Sequence, residues 1–232
     1  MFEKITSSNL NNVVFNALKE KIINNELKPG EKLDPEELSG QLGVSRTPIT
    51  NALKALEQKG YVVVYPRSGS YVRKYSVEEI EAIFDFRAAL ESLSVKRAFR
   101  TPDKTFLLYY KEKFQYIISH HHDDTNGKWV ETFFTVETAF HGALIRTCPQ
   151  IIADELQNLI DLTKRMRKLH LKYYSMKAAS KLFRQNEVQL HINLIDALLN
   201  NDTSTAEAII RLDIESTKQE ILENYIEIEK EA

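Results

Sequence analysis

The sequence predicts a mainly α-helical protein in two parts, and three observations support this. Only 7 Gly and 6 Pro occur among 232 residues, which argues against a loop-rich β architecture. Apolar residues recur at helical spacing along most of the chain, and a single segment near residues 61–74 has the pattern of a β-hairpin. The length exceeds that of most single domains. We therefore expect one domain over residues 1–74 and an all-α antiparallel helical bundle over residues 75–232.

Composition and charge exclude several classes of protein. Hydrophobic residues make up 43% and charged residues 28% of the chain, a balance typical of a folded globular protein. A single cysteine, Cys148, excludes an internal disulfide and a cysteine-ligated zinc site. The sequence contains neither a signal-peptide pattern at its start nor an apolar run of the roughly 18 to 20 residues that span a bilayer. We expect a cytoplasmic protein with no membrane partner.

The formal net charge of -2 is unevenly distributed. Residues 1–74 carry 11 Lys and Arg against 8 Asp and Glu, whereas the remainder carries 20 against 25. The two parts are thus expected to have different partners, although such an imbalance alone is weak evidence for nucleic-acid binding.

The N-terminal part predicts three helices. A first helix is indicated by apolar residues at helical spacing, Leu10, Val14, Leu18 and Ile22. Asp34, followed by Pro35 and then by Glu37, has the pattern of an N-cap with a capping box, so a second, short helix begins there. Ser45 is the predicted N-cap of a third helix, which ends at Gly60.

The third helix has two different faces. Its apolar stripe consists of Ile49, Ala52, Leu53 and Leu56. The opposite face carries short hydrogen-bonding groups and two cations, which suit a DNA major groove: Arg46, Thr47, Thr50, Asn51 and Lys54. Two β-like segments follow, around a basic turn at residues 66–69. This order of elements predicts a winged helix-turn-helix, in which the third helix enters the major groove and the hairpin contacts the backbone or the minor groove. The plainer alternative is a small α+β domain with a solvated basic face.

Residues 9–74 resemble the DNA-binding domain of GntR-family transcription regulators. The resemblance rests on the LGVSRTP turn at residues 42–48, the AL..LE..G helix end and the G.YV pattern of the wing. It implies contacts to DNA from the start of the third helix and from the wing. Together with the polar helix face, the predicted DNA-binding residues are Ser45, Arg46, Thr47, Thr50, Asn51, Arg67, Ser68 and Gly69.

Two positions depart from the family pattern. The family commonly has arginine where this chain has Glu37 and Thr50. Loss of a bidentate arginine removes a contact that is typically worth about 1 to 3 kcal/mol of base discrimination. We therefore expect an operator that differs from the commonest family consensus. Glu37 also has a structural interpretation as the capping-box residue, which we favour.

The C-terminal part predicts six helices. The first begins after Ser76, which with Glu79 forms a second capping-box pattern, and carries a broad apolar face. The second follows Thr101, and the others are expected at residues 129–146, 150–174, 177–200 and 203–228. A polar loop at residues 120–127 contains three adjacent histidines. Because consecutive side chains point apart, we expect a solvated turn there, not a metal site.

Four polar residues of this part are candidate metal ligands. Glu137 and His141 are spaced i, i+4 and share one helix face. His191 and Asp213 lie 11 residues before and after Asp202 in the turn between the last two helices, so an antiparallel hairpin places them level with each other. Two imidazoles and two carboxylates suit a divalent metal. The alternative is a set of buried polar groups that pair with one another.

Residues 76–228 resemble the FCD effector domain of the FadR-type branch of the GntR family. The RAALE segment from Arg87 resembles the R..LE signature, the segment from Glu137 to His141 resembles D..FH, and His191 and Asp213 occupy the places of two later histidines. The resemblance implies that these four residues hold a divalent metal. The usual set is one Asp and three His, so the substitutions shift the preference from Zn or Ni toward Mn or Mg.

Arg87 has two interpretations. It can point into the bundle and bind an effector carboxylate, or it can pair with Glu91 one turn along. The resemblance favours the first.

The sequence therefore predicts a DNA-binding transcription regulator that is not an enzyme. We expect a homodimer on a palindromic double-stranded operator, with a small anionic metabolite of the organic-acid class bound in the C-terminal domain. The alternatives are a ligand-independent architectural DNA-binding dimer and a metal-dependent helical-bundle enzyme.

Overall fold

A computed structural model describes residues 8–98, 103–120, 128–175 and 180–231. The chain divides into two compact units, and the division falls between Ser76 and Val77, two residues after the predicted domain boundary. The described residues form nine α-helices and one small three-stranded sheet. None of these helices is long and apolar enough to cross a membrane.

The first unit contains three helices and three short strands. In chain order these are α1 (Ser8–Ile23), β1 (Lys32–Leu33), α2 (Pro35–Leu42), α3 (Arg46–Gln58), β2 (Val62–Tyr65) and β3 (Gly69–Val72). The strand order is β1-β3-β2, and both pairs are antiparallel. The hairpin of β2 and β3 was predicted, whereas β1 was not, since two residues are too few for a strand pattern to emerge from sequence.

The predicted helix boundaries of this unit have clear local causes. Asp34 is the N-cap of α2, where its carboxylate accepts hydrogen bonds from the backbone N–H groups of Glu36 and Glu37 at 2.8 and 3.2 Å. Gly43 ends α2 with φ 65°, a left-handed conformation that favours glycine. The Glu37 carboxylate accepts a hydrogen bond from Gln41 at 3.0 Å and, among the described residues, none from the Asp34 backbone N–H, so the prediction of a capping box was wrong. Capping by Asp34 therefore fixes where the helix-turn-helix begins.

The core of the first unit lies between α1 and α3 and beneath the sheet. It is built from the apolar stripes that the sequence predicts, together with both ends of the hairpin: Val14, Leu18, Ile22, Leu33, Ile49, Ala52, Leu53, Leu56, Val62 and Val72. Burying this face of α3 leaves its polar face outward.

The second unit is all-helical. Its helices are α4 (Val77–Ala98), α5 (Lys104–His120), α6 (Lys128–Leu144), α7 (Gln150–Ser175), α8 (Ser180–Leu199) and α9 (Thr203–Glu231), with a 3-10 turn at Ile145–Thr147. Helix α4 packs against α9 and α7, α5 packs against α8 and α6, and α8 packs against α9. The 3-10 turn shortens the predicted third helix of this unit, whose last turn tightens before Pro149.

Helix α4 departs from the apolar face that its sequence suggests. Leu93 is exposed, whereas Arg87, Glu91, Ser92 and Ser94 are buried. These polar side chains are hydrogen-bonded inside the unit; for example, the Ser92 hydroxyl donates to the backbone carbonyl of Ala88 at 2.8 Å. Helix α4 therefore brings charged groups, and not only apolar ones, into the interior of the bundle.

Candidate functional site

The polar face of α3 is open to solvent. Arg46, Thr47, Thr50 and Asn51 are all exposed, and so is Ser45 just before the helix. Ser45 occupies the predicted N-cap position with an extended backbone, but its hydroxyl makes no capping hydrogen bond to any described residue. The prediction of a side-chain cap there was wrong. The exposed hydroxyl stays available to a partner.

Two side chains of this face have intramolecular partners. The Arg46 guanidinium pairs with the Glu36 carboxylate of α2, and both groups are largely exposed. The Thr50 hydroxyl donates to the backbone carbonyl of Arg46 at 3.0 Å. An exposed ion pair of this kind is worth little, about 0–1 kcal/mol, so a phosphate or base can displace Glu36 from Arg46.

The hairpin turn presents the second predicted DNA-contacting group. Arg67 is exposed in a left-handed conformation with φ 64°, and Gly69 has φ 119°, which a side chain rarely adopts. The Ser68 hydroxyl lies 2.7 Å from the Tyr71 hydroxyl, and the Tyr71 ring packs edge-on against Tyr65. These contacts restrain the backbone of the turn that carries Arg67.

The four candidate metal ligands lie together in the second unit. Glu137 and His141 come from α6, His191 from α8 and Asp213 from α9, and all four are buried. Their facing ligand atoms all lie within 4.8 Å of one another. His141 Nε2 is 3.1 Å from His191 Nε2, 3.4 Å from Glu137 Oε1 and 3.5 Å from Asp213 Oδ2.

The hydrogen bonds of the two imidazoles fix their tautomers. His141 Nδ1–H donates to the Glu91 carboxylate, and His191 Nδ1–H donates to the backbone carbonyl of Glu187 at 2.8 Å. Both partners can only accept, so each neutral ring carries its proton on Nδ1. The two Nε2 lone pairs therefore face each other. Such an arrangement needs a proton or a cation between the rings.

The donor set fits a divalent metal. Bonds of about 2.1 Å at adjacent coordination positions separate ligand atoms by roughly 3.0–3.4 Å, close to the separations around His141 Nε2. An outer carboxylate on the far nitrogen of a ligating histidine, as Glu91 supplies to His141, is typical of metal sites. Equal numbers of nitrogen and oxygen donors are compatible with Mn, Zn or Ni.

Buried charges around the cluster shift several pKa values. Burial alone would raise the pKa of Glu137, but Arg167 and His141 outweigh it and lower the pKa to about 2. Glu91 behaves alike: burial opposes ionisation, whereas Arg87 and His141 lower its pKa to about 2. Burial disfavours the charged form of His141, yet Glu91 raises its pKa above the ordinary value. The carboxylates of Glu91 and Glu137 are thus ionised at neutral pH.

Glu187 shows the opposite behaviour. It lies on α8, one turn before His191, and is half-buried. Burial, together with the nearby carboxylates of Asp213 and Glu220, raises its pKa to about 8. Glu187 is therefore mostly protonated at pH 7 and adds little negative charge next to the cluster.

Arg87 adopts the second of the two predicted arrangements, the pair with Glu91, although its side chain lies inside the bundle. It is 1% exposed and points into the bundle, and its Nε donates to Glu91 Oε1 at 2.5 Å. Its Nη1 donates to the Thr163 hydroxyl of α7 at 3.3 Å. Because Glu91 in turn accepts from His141, Arg87 supports the outer partner of a candidate metal ligand.

Sequence reasoning missed Arg167, which lies on α7. Its Nη2 pairs with Glu137 Oε2, so it supports a second candidate ligand. A signal for it exists in the sequence, because Leu156, Ile160, Thr163 and Arg167 follow a helical stripe whose members are all buried. An arginine on a buried stripe indicates a buried carboxylate partner.

The histidine-rich loop is only partly described. His120 ends α5 and is exposed, and its Nδ1 lies 2.9 Å from the backbone carbonyl of Tyr116. The rest of that loop, residues 121–127, lies outside the described residues. The expectation of a solvated turn there stays a prediction.

Comparisons with known proteins agree on the family. Residues 10–72 match the family described as bacterial regulatory proteins, gntR family, and residues 82–216 match the FCD domain. The HTH-type transcriptional repressor RspR of Escherichia coli is 26% identical over 96% of this chain and 91% of its own length. The uncharacterized HTH-type transcriptional regulator YdhC of Bacillus subtilis is 34% identical over 35% of this chain and 37% of its own length.

A solved structure shares the fold. E. coli McbR/YncC superposes with a TM-score of 0.74 at 21% identity, covering 93% of this chain and 98% of that one. The family and the curated relatives are transcription regulators, which excludes the enzyme alternative. The chain belongs to the GntR family of bacterial transcription regulators, with a DNA-binding winged helix-turn-helix followed by an FCD effector-binding domain.

Proposed function

We propose that this regulator binds its operator with an affinity set by a small organic acid, which binds in the helical unit through a divalent metal. The metal is held by Glu137, His141, His191 and Asp213. The observation that carries this proposal is the pair of facing Nε2 atoms, 3.1 Å apart, in a buried group with two carboxylates. A bound metal supplies a positive centre with positions open to a ligand's oxygen atoms.

The charge balance favours an anionic effector. The buried cluster contains three carboxylates, those of Glu91, Glu137 and Asp213, and two guanidinium groups, those of Arg87 and Arg167. With neutral imidazoles, a divalent cation leaves an excess of one positive charge. One carboxylate neutralises this excess, and a neutral or cationic ligand does not.

Helix α4 links the cluster to the rest of the chain. Glu91 on α4 accepts from the candidate ligand His141, and Val77, the first residue of α4, directly follows the DNA-binding unit in sequence. Ligand binding that changes the position of His141 acts on α4 through this hydrogen bond. The effector changes operator affinity only if it binds more tightly to one position of α4 than to another.

The DNA-bound form is a homodimer on a palindromic operator. One α3 helix buries too little surface for tight specific binding, and a two-fold protein recognises two half-sites about one helical turn, or a multiple of it, apart. Sedimentation with a labelled operator tests this, since two chains per duplex are expected and one chain would contradict it. Because the partner is the operator, the protein acts in the cytoplasm. Thr50 and Glu37 stand where the family commonly has arginine. We therefore expect operator selection from a randomised pool to recover a sequence other than the commonest family consensus.

Elemental analysis tests the metal. Purified wild-type protein is expected to contain about one equivalent of a divalent transition metal per chain, and H141A should lose most of it. The matched control is H120A, which removes an exposed imidazole outside the cluster and should keep the metal. Equal metal contents in all three proteins, or no metal in the wild type after reloading with Mn or Zn, would contradict the proposal.

Operator affinity tests the regulation. The wild type, loaded with metal, is titrated into the selected operator with and without acetate, lactate or citrate. A change in Kd of at least fivefold with one of them supports the proposal, because allosteric couplings are typically 5- to 150-fold. Unchanged Kd with every acid would instead favour the ligand-independent architectural dimer.

A further inference from the structure

In the second unit, a buried arginine beside the four candidate metal ligands has an unused hydrogen-bond donor. Arg167 is 7% exposed, and its Nη2 pairs with Glu137. Its Nη1 is buried and has no hydrogen-bond partner in the described part of the chain. Buried charged donors without a partner are rare, because each costs free energy in a folded protein. The unused N–H indicates an acceptor that binds from outside.

The surroundings of Arg167 suit an anion. The guanidinium lies over the Phe134 ring at 5.2 Å, and the Lys168 ammonium lies 5.8 Å from the same ring. Thr138, one turn after Phe134 on the same side of α6, has a buried hydroxyl that also lacks a partner among the described residues. Two cations and an unused hydroxyl thus gather where α6 faces α7.

Arg87 differs from Arg167 because its donors already have acceptors. Its Nε and Nη1 both have acceptors, Glu91 and Thr163, at 2.5 and 3.3 Å. An effector carboxylate at Arg87 would have to displace Glu91, which would leave a buried carboxylate with one partner fewer. Arg167 Nη1 has no acceptor among the described residues, so a carboxylate that binds it displaces none.

The geometry points to Arg167, and not Arg87, as the residue that binds the effector carboxylate, through Nη1. This inference rests on the proposed function for the identity of the ligand as an organic acid. Because Glu137 joins Arg167 through Oε2 and faces the cluster with Oε1, a carboxylate on Nη1 lies next to the metal ligands. Arg87 positions Glu91 and His141 without touching the effector.

The test is direct calorimetric binding of acetate, lactate and citrate to the full-length protein loaded with metal. R167K keeps the positive charge that pairs with Glu137 but loses the planar guanidinium and its additional N–H donors. We expect it to weaken binding of the tightest-binding acid about tenfold or more. R146K makes the same substitution at an exposed arginine and should bind as the wild type does. Metal content and melting temperature are measured on each protein. R167K should keep its metal.

Several outcomes overturn the inference. They are equal affinity of R167K and the wild type, loss of binding in R146K to the same extent, and no binding of any of the three acids to the loaded wild type. A crystal structure of the wild type with the acid that binds most tightly gives an answer that does not depend on the folding of any variant. We expect the carboxylate beside Arg167 Nη1, and a carboxylate beside Arg87 would overturn the inference. Binding at Arg167 without any change in operator Kd would leave this inference standing and contradict the regulation proposed above.

Discussion

The two units of this protein place their functional side chains in opposite environments. In the first unit, the polar groups of α3 and of the hairpin turn are exposed, and the core beneath them is apolar. In the second, charged residues from α4, α6, α7, α8 and α9 meet inside the bundle. The candidate functional residues of the first unit can therefore be changed with little loss of stability, whereas those of the second also form buried ion pairs.

The largest expected effect comes from breaking the buried network. E91A removes the carboxylate that Arg87 and His141 share, which leaves a buried guanidinium without its charge partner. We expect a loss of about 3–5 kcal/mol in the free energy of unfolding, measured by urea denaturation. E131A, which removes an exposed carboxylate of the same unit, should change it by less than about 0.5 kcal/mol. Similar losses in both variants would contradict this contrast between buried and exposed charges.

Acid should remove the contribution of two buried carboxylates to the stability of the second unit. The folded pKa values of Glu91 and Glu137 are lowered to about 2, so their contribution to stability is complete above the unfolded value of 4.5 and is lost as pH falls toward 2. The raised pKa of Glu187 acts in the opposite direction, so the measurement uses E187Q. Between pH 6 and pH 3 we expect metal-free E187Q to lose about 2–4 kcal/mol. Trp129, the single tryptophan, lies in α6, so its fluorescence follows this unit in urea titrations. A urea midpoint of E187Q that is independent of pH over this range would refute the charge network.

The contribution of His141 to stability depends on pH in the opposite direction. Its folded pKa is raised, so its contribution is complete below the ordinary value of 6.5 and is lost as pH rises through the folded pKa. Urea titrations extended to alkaline pH should therefore show a loss of stability in the metal-free protein.

The two units also differ in how well they could be predicted from the sequence. Asp34, Gly43 and the apolar stripe of α3 act through residues close in sequence, so the helix-turn-helix could be predicted almost element by element. The pairing of β1 with β3 joins residues nearly forty positions apart and could not.

The second unit shows both a success and a failure of sequence reasoning. His191 and Asp213 could be predicted to lie level because a single tight turn joins their helices, and His191 Nδ1 is 3.9 Å from Asp213 Oδ1. Arg167 and the shared role of Glu91 depend on how α4 and α7 rotate about their axes. That rotation is decided by packing between helices far apart in sequence.

A smaller effect is expected for the exposed face of α3. R46A removes a side chain whose only described partner is the exposed Glu36. Stability should change by less than about 0.5 kcal/mol, while affinity for the selected operator falls about tenfold to a hundredfold, measured by fluorescence anisotropy. Q58A, at the far end of the same helix, serves as the control and should keep the wild-type affinity. Unaltered operator affinity of R46A would contradict the assignment of α3 as the DNA-reading helix.

The smallest expected effect concerns the cap of α2. D34A removes the acceptor for two backbone N–H groups and should lower the stability of the first unit by about 1 kcal/mol. D34N, which retains a side-chain oxygen, should recover most of this. Thermal melting followed at tyrosine wavelengths measures the effect. A loss in D34N as large as that in D34A would argue against a capping role.

The metal claim itself is tested most directly by an anomalous difference map from crystals of the Mn- or Zn-loaded protein. We predict one peak per chain in the space between His141 Nε2 and His191 Nε2, within bonding distance of Glu137 and Asp213. A map without such a peak, in which the two imidazoles instead share a proton, would contradict the assignment of this cluster as a metal site.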